Sequence, residues 1–99
     1  MSKIEFRTDK DILYISLDGR IDASNASEVE NSIAEIRKAN EGLHTVLDAD
    51  TLEYISSAGL RVLLATQKKM KGSMKLTNVC ELVMEVFEMT GFADILVIE

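Results

Sequence analysis

Thr45-Val46-Leu47-Asp48-Ala49-Asp50, followed by Thr51-Leu52-Glu53-Tyr54-Ile55 and then Ser56-Ser57-Ala58-Gly59-Leu60-Arg61-Val62-Leu63-Leu64, is the stretch whose reading decides the fold. Its opening, Thr45 to Asp50, reads as a strand, and Thr51 to Ile55 reads as a polar connection. After the two serines the period changes: Leu60, Leu63, Leu64 and Gln67 fall on one side of a helix. A strand that runs through a short connection into a helix is the first half of a βαβ crossover.

The flanks extend the pattern. Ile4 to Thr8 alternates apolar and polar, Asp9-Lys10-Asp11 breaks it, and Ile12 to Leu17 resumes it up to Asp18-Gly19, which predicts a hairpin. Ala26, Val29, Ile33 and Ile36 recur at helical steps. Asp22, Ser24 and Asn25 are all competent N-caps for that helix, and Asn25 with Glu28 has capping-box spacing. The helix is expected to stop near Asn40, with Gly42 just beyond. The second helix is expected to end around Met70-Lys71-Gly72, and Met74 to Thr77 reads as a fourth strand. Val79, Leu82, Val83, Val86 and Phe87 mark a third helix closed by Gly91, and Ile95 to Ile98 a last strand. The order β-β-α-β-α-β-α-β predicts an α/β fold over residues 1–99, one domain with a single mixed, mostly parallel β-sheet, an N-terminal hairpin and three packed helices. Loops that follow parallel strands share a rim, where sites form. Asp22–Asn25, Ser56–Gly59 and Asn78 are therefore expected to be neighbours.

Composition narrows the function. The formal net charge is −6, which argues against a nucleic-acid partner, since phosphate backbones are bound by clustered Lys and Arg. One cysteine, Cys80, excludes an intramolecular disulfide. The N-terminus turns charged before a signal-peptide core forms, and no apolar run approaches the roughly 20 residues of a membrane span. The expectation is a cytoplasmic chain without membrane insertion.

Enzymatic constellations are missing. There is neither G-x-G-x-x-G nor G-x-x-x-x-G-K-[ST], and one His with one Cys makes no His/Cys zinc site. Asp48 and Asp50 project to one face of a strand, but carboxylates at a strand's end are ordinarily solvated, so no metal and no cofactor are expected. His44 opens the third strand and Ser57 lies beyond its far end, on the order of 20 Å away, so His44 is no base for Ser57. Cys80 reads as a packed, inert thiol.

Ser56-Ser57-Ala58-Gly59-Leu60 remains the strongest local signal. Its structural explanation is that one serine is an N-cap. Its functional explanation is that one exposed hydroxyl accepts phosphate, where free backbone N–H groups and the positive end of the helix dipole tolerate the charge. Gly59 would keep the first turn open to a partner.

These residues resemble the STAS family, specifically the bacterial anti-sigma factor antagonists, over about Ile4 to Val97. The core of the likeness is Val46 to Leu64, with a strand, a linker carrying Leu52 and Tyr54, and Ser56-Ser57-Ala58-Gly59-Leu60. Leu17-Asp18-Gly19-Arg20-Ile21-Asp22 and Val86-Phe87-Glu88-Met89-Thr90-Gly91-Phe92 also look alike. The resemblance implies partner switching and no catalysis by this chain. The unphosphorylated form binds an anti-sigma factor that is also a serine kinase, freeing a sigma factor; phosphorylation of Ser57 releases it, and a PP2C-type phosphatase resets it. Because the loops that follow the parallel strands share a rim, the expected docking surface comprises Asp22, Ser24, Asn25, Ser56, Ser57, Ala58, Gly59, Arg61 and Asn78, on a chain expected to be monomeric when free. Ser56 stands where relatives often carry Asp, which leaves a second, less favoured acceptor hydroxyl. The sequence stops at Glu99, where many relatives continue into a further helix. STAS domains also serve as accessory subunits of membrane transporters, the alternative role.

Overall fold

A computed structural model of the chain describes residues 4–70 and 74–99. Strand β1 (Phe6–Asp9) turns through Lys10, at φ +57°, and Asp11 into β2 (Ile12–Ile21). Helix α1 (Ala26–Ala39), β3 (His44–Ile55), α2 (Ser57–Met70), β4 (Met74–Thr77) and α3 (Glu81–Thr90) follow, and a 3₁₀ turn at Phe92–Asp94 leads to the end. The sheet order is β1-β2-β3-β4; β1 pairs antiparallel with β2, and the other two pairings are parallel. This is the mixed, mostly parallel sheet with an N-terminal hairpin that the element order predicts.

One face of the sheet carries the core. Leu13, Ile15 and Leu17 of β2, Leu47 and Ala49 of β3, and Met74 and Leu76 of β4 are buried, while the residues between them are half-exposed or exposed. Ala26, Val29 and Ile33 of α1 and Val83 and Phe87 of α3 close over that face. The buried side of α2 is Gly59, Leu60, Val62, Leu63 and Thr66, turned slightly from the expected stripe: Leu64 is only half-buried and Val62 is inside. Burial of these aliphatic side chains, each worth about 1.5–3 kcal/mol, is the main stabilising term.

Three boundaries differ from the sequence reading. Gly19 does not end β2; at φ +66° it sits inside the strand, where the ladder with β3 shifts register twice, between Ser16 and Asp18 and between Gly19 and Arg20. Those bulges let β2 run on to Ile21 and let β3 run on to Ile55, so Thr51 to Ile55 is strand rather than a connection. The shifts also change the phase of the alternation and turn both Leu52 and Ile55 inward. At the other end, the last strand reduces to a single bridge, Leu76 with Ile98. Gly91, at φ +81°, ends α3 and the 3₁₀ turn uses up the next residues, which leaves only the last few beside β4. The expected end of α2 at Lys71 and Gly72 lies outside the described residues.

Helix α2 is seated against the ends of β2 and β3 at Gly59. A Cβ there would lie 2.5 Å from Ile55 Cγ1, 2.9 Å from Ile21 Cγ2 and 3.0 Å from the Ile21 carbonyl oxygen. Gly→Ala inside a helix normally stabilises by about 1 kcal/mol. Here the new methyl group runs into the buried Ile55 and Ile21 side chains, which have no room to give way, with the Ile21 carbonyl just behind, so Gly59→Ala is expected to destabilise by about 1–3 kcal/mol. Urea unfolding checks this: the midpoint should fall at an unchanged slope, and a rise would contradict the tight seat.

Candidate functional site

The site is built where β2 and β3 end. The Ser56 amide donates to the Ile21 carbonyl at 2.9 Å, tying the β3–α2 junction to the β2–α1 loop. The Ser56 carbonyl accepts the Leu60 amide at 2.9 Å, the first bond of α2, so Ser56 occupies the capping position. Its Oγ is buried and makes no hydrogen bond. Ser57, the first helical residue, is exposed. The adjacent serines thus differ: the Ser56 hydroxyl is buried, and Ser57 is an exposed residue. Arg61 is exposed one helical turn after Ser57, on the same face, and Ala58 between them is half-buried.

The neighbouring loop is held by its own side chains. Asn25 Nδ2 donates to the Arg20 carbonyl at 2.7 Å, and Asn25 Oδ1 accepts the Asp22 amide at 2.9 Å. Asn25 is the N-cap residue of α1 by position, but its side chain does not cap the helix; it fastens the loop back onto the strand. Asp22 Oδ1 accepts from both the hydroxyl and the amide of Ser24. Those two bonds, with a smaller contribution from Arg20, hold the Asp22 carboxyl below the ordinary carboxylate range. Arg20 reaches Asp22 at 3.8 Å and lies over the Tyr54 ring, 4.5 Å from its centroid. Arg20 and Tyr54 are directly paired across the strands, so this stack joins the loop to the strand that delivers Ser57. An open groove of about 780 Å³, lined in part by Glu5, Phe6, Leu17 and Asp18, shares Ile21 and Asn25 with the loop.

The expected cluster is therefore brought together only in part. Asp22, Ser24, Asn25, Ser57, Ala58 and Arg61 lie on the two joined segments. Gly59 is not open to a partner; it is buried, and its missing side chain serves the internal seat of α2. The Ser56 side chain is likewise turned inward. Asn78 lies elsewhere: at φ +58° it donates to Asp48 Oδ1 at 3.0 Å, because β4 pairs with the first half of β3 and stops at Thr77 opposite Asp48. Since β3 continues to Ile55, about 25 Å of strand contour separates Asp48 from the Ser56 junction. Arg20, Ile21 and Tyr54 were not among the site residues expected from the sequence, since their roles come from cross-strand register that the bulges hide.

His44 is exposed at the start of β3, at the end of the strand remote from Ser57. Cys80 is half-buried, with its thiol 3.5 Å from the Leu52 carbonyl. Among the described residues no group of three or more His, Cys, Asp or Glu is placed to hold a metal ion, and no helix is long and apolar enough to cross a membrane.

The STAS domain model matches residues 3–99. The chain belongs to the STAS domain family. It is 39% identical over 88 residues to BtrV of Bordetella bronchiseptica, a protein named as an anti-sigma factor antagonist, covering 85% of this chain and 74% of that one. It is 26% identical over 96 residues to the anti-sigma-B factor antagonist of Bacillus subtilis, covering 94% and 86%. Among solved structures, an anti-sigma factor antagonist from Mycobacterium paratuberculosis superposes with a TM-score of 0.83 at 19% identity, over 96% of this chain and 82% of that one. The STAS-like fold read from the sequence is thus the fold observed.

Two outcomes follow from the loop geometry. Asn25→Ala removes both ties between loop and strand and is expected to cost about 1–2 kcal/mol, whereas Ser56→Ala removes only an unpaired buried hydroxyl and should be neutral or stabilising. Equilibrium denaturation of the two variants separates them, and an equal loss in both would contradict the assignment. For Asp22, a lowered native pKa means that stability present above the ordinary carboxylate pKa is lost as pH falls through the native value. Ser24→Ala should therefore be less stable at neutral pH and show a shallower loss below about pH 4; unchanged slopes would show that Ser24 does not hold the carboxylate.

Proposed function

We propose that this chain is an anti-sigma factor antagonist whose binding is switched by phosphorylation of Ser57. The observation that carries the reading is the divergence of the two serines: Ser57 is exposed on the first turn of α2, and the Ser56 hydroxyl is buried. The family membership and the relatives' names support the class of partner. The partner on this reading is an anti-sigma factor that is also a serine kinase, with a PP2C-type phosphatase as the resetting enzyme. The chain itself is no enzyme, uses no cofactor, works in the cytoplasm and is monomeric when free.

The docking surface is Ser57, Ala58 and Arg61 on α2 with Asp22, Ser24 and Asn25 on the adjoining loop. Phosphate brings about −1.5 to −2 charges at pH 7. Within the chain it meets the positive end of the α2 dipole and the Arg61 face, which tolerate it. Against a bound partner the same charge is desolvated without a matching cation, at a cost of several kcal/mol.

Incubation with the cognate kinase and ATP, followed by phosphosite mapping, tests the reading. One phosphate is expected on Ser57 in the wild type and in Ser56→Ala, and none in Ser57→Ala. Phosphate that persists on Ser56 in Ser57→Ala, or no incorporation at all, would overturn it.

A further inference from the structure

Of the large apolar side chains exposed among the described residues (Phe6, Leu82, Met89, Ile95 and Val97), all but Phe6 follow Cys80. Two of them are on α3, where Met89 is 85% and Leu82 is 54% exposed. At about 100° per residue, Leu82, half-buried Val86 and Met89 form one stripe along the helix. The core side, Val83 and Phe87, lies to one flank of the stripe. Round the other flank come Glu85, Glu81 and Glu88, all exposed. The charge is one-sided well beyond the helix: residues 76–99 include five acidic side chains and no Lys, Arg or His. Most of the chain's net charge of −6 thus sits in this segment, and the exposed Lys75–Glu99 pair at 3.2 Å offsets little of it.

We propose that the outer face of α3 is a second docking surface, for a basic amphipathic helix of a partner protein. An apolar stripe with i, i+4, i+7 spacing is the form in which one helix receives another. A flank of three glutamates selects Lys or Arg beside the incoming stripe and repels a second copy of this chain. Because the stripe lies on a different helix from Ser57 and is independent of the switch proposed there, it can be occupied in either phosphorylation state.

The probe is a synthetic amphipathic Leu/Lys peptide of about 16 residues, titrated into ¹⁵N-labelled full chain and followed by amide shifts. Shifts should concentrate on residues 81–90, and affinity should fall as salt rises. Leu82→Ser with Met89→Ser, both surface changes, should weaken binding about tenfold or more. Glu81→Gln, Glu85→Gln and Glu88→Gln together should also weaken it, and Ser57→Asp should not. The proposal is overturned by the absence of binding, by shifts centred elsewhere, or by indifference to the serine variant. Equal binding of a peptide with the same residues in scrambled order would also overturn it. So would light scattering that shows self-association through this face.

Discussion

The missing side chain of Gly59 sets the geometry on which the rest of the site depends. It brings the first turn of α2 into contact with Ile21 and Ile55, close enough that a single methyl group would collide with the Ile55 and Ile21 side chains. The Ile21 carbonyl accepts the Ser56 amide. The ends of β2 and β3 therefore hold the start of α2 both by close packing at Gly59 and by a backbone hydrogen bond at Ser56. Helix propensity alone would favour almost any residue over glycine at this position, so the contact with the strand ends decides the residue.

From that seat the two serines acquire different characters. The Ser56 hydroxyl is buried, where it finds no partner, and Ser57 is exposed on the first turn of α2. A buried hydroxyl without a hydrogen bond costs stability, about 1–3 kcal/mol, and this one contributes no cap to the helix it precedes. The switch proposed at Ser57 requires no rearrangement of the domain. The proposed phosphate would sit at a helix start on a frame held by the Ile21 contact, the Asn25 bonds and the Arg20–Tyr54 stack.

Much of this was legible in the residues themselves. The change of period after Ile55, the spacing of Ala26, Val29 and Ile33, and the Ser56–Leu60 motif led to the element order, the parallel sheet and the exposed serine. What the sequence hid was register. Gly19 reads as a terminator because it follows Asp18, yet in the pleat its positive φ serves a bulge and the strand goes on. The polar look of Thr51, Glu53 and Tyr54 hides a strand whose inward positions are Leu52 and Ile55, out of phase with Leu47 and Ala49. Because β3 is longer than its apolar core, Asn78 was assigned to the wrong level of the sheet, and Gly59, a glycine beside a motif serine, read as an opening when it is a contact. Arg20 and Tyr54 lie more than thirty residues apart in sequence and meet only once the two bulges are counted.

On the proposed function, a phosphate on Ser57 abolishes docking by charge while the fold stays intact. Calorimetric titration of stoichiometrically Ser57-phosphorylated and unmodified chain against the anti-sigma partner tests it most directly, with amide spectra of both free forms recorded alongside. Binding weaker by about a thousandfold, equivalent to about 4 kcal/mol, is expected, with spectral changes confined to α2's first turns and the Asp22–Asn25 loop. Equal affinity of the two forms, or weakened binding accompanied by shifts throughout the core, would contradict it.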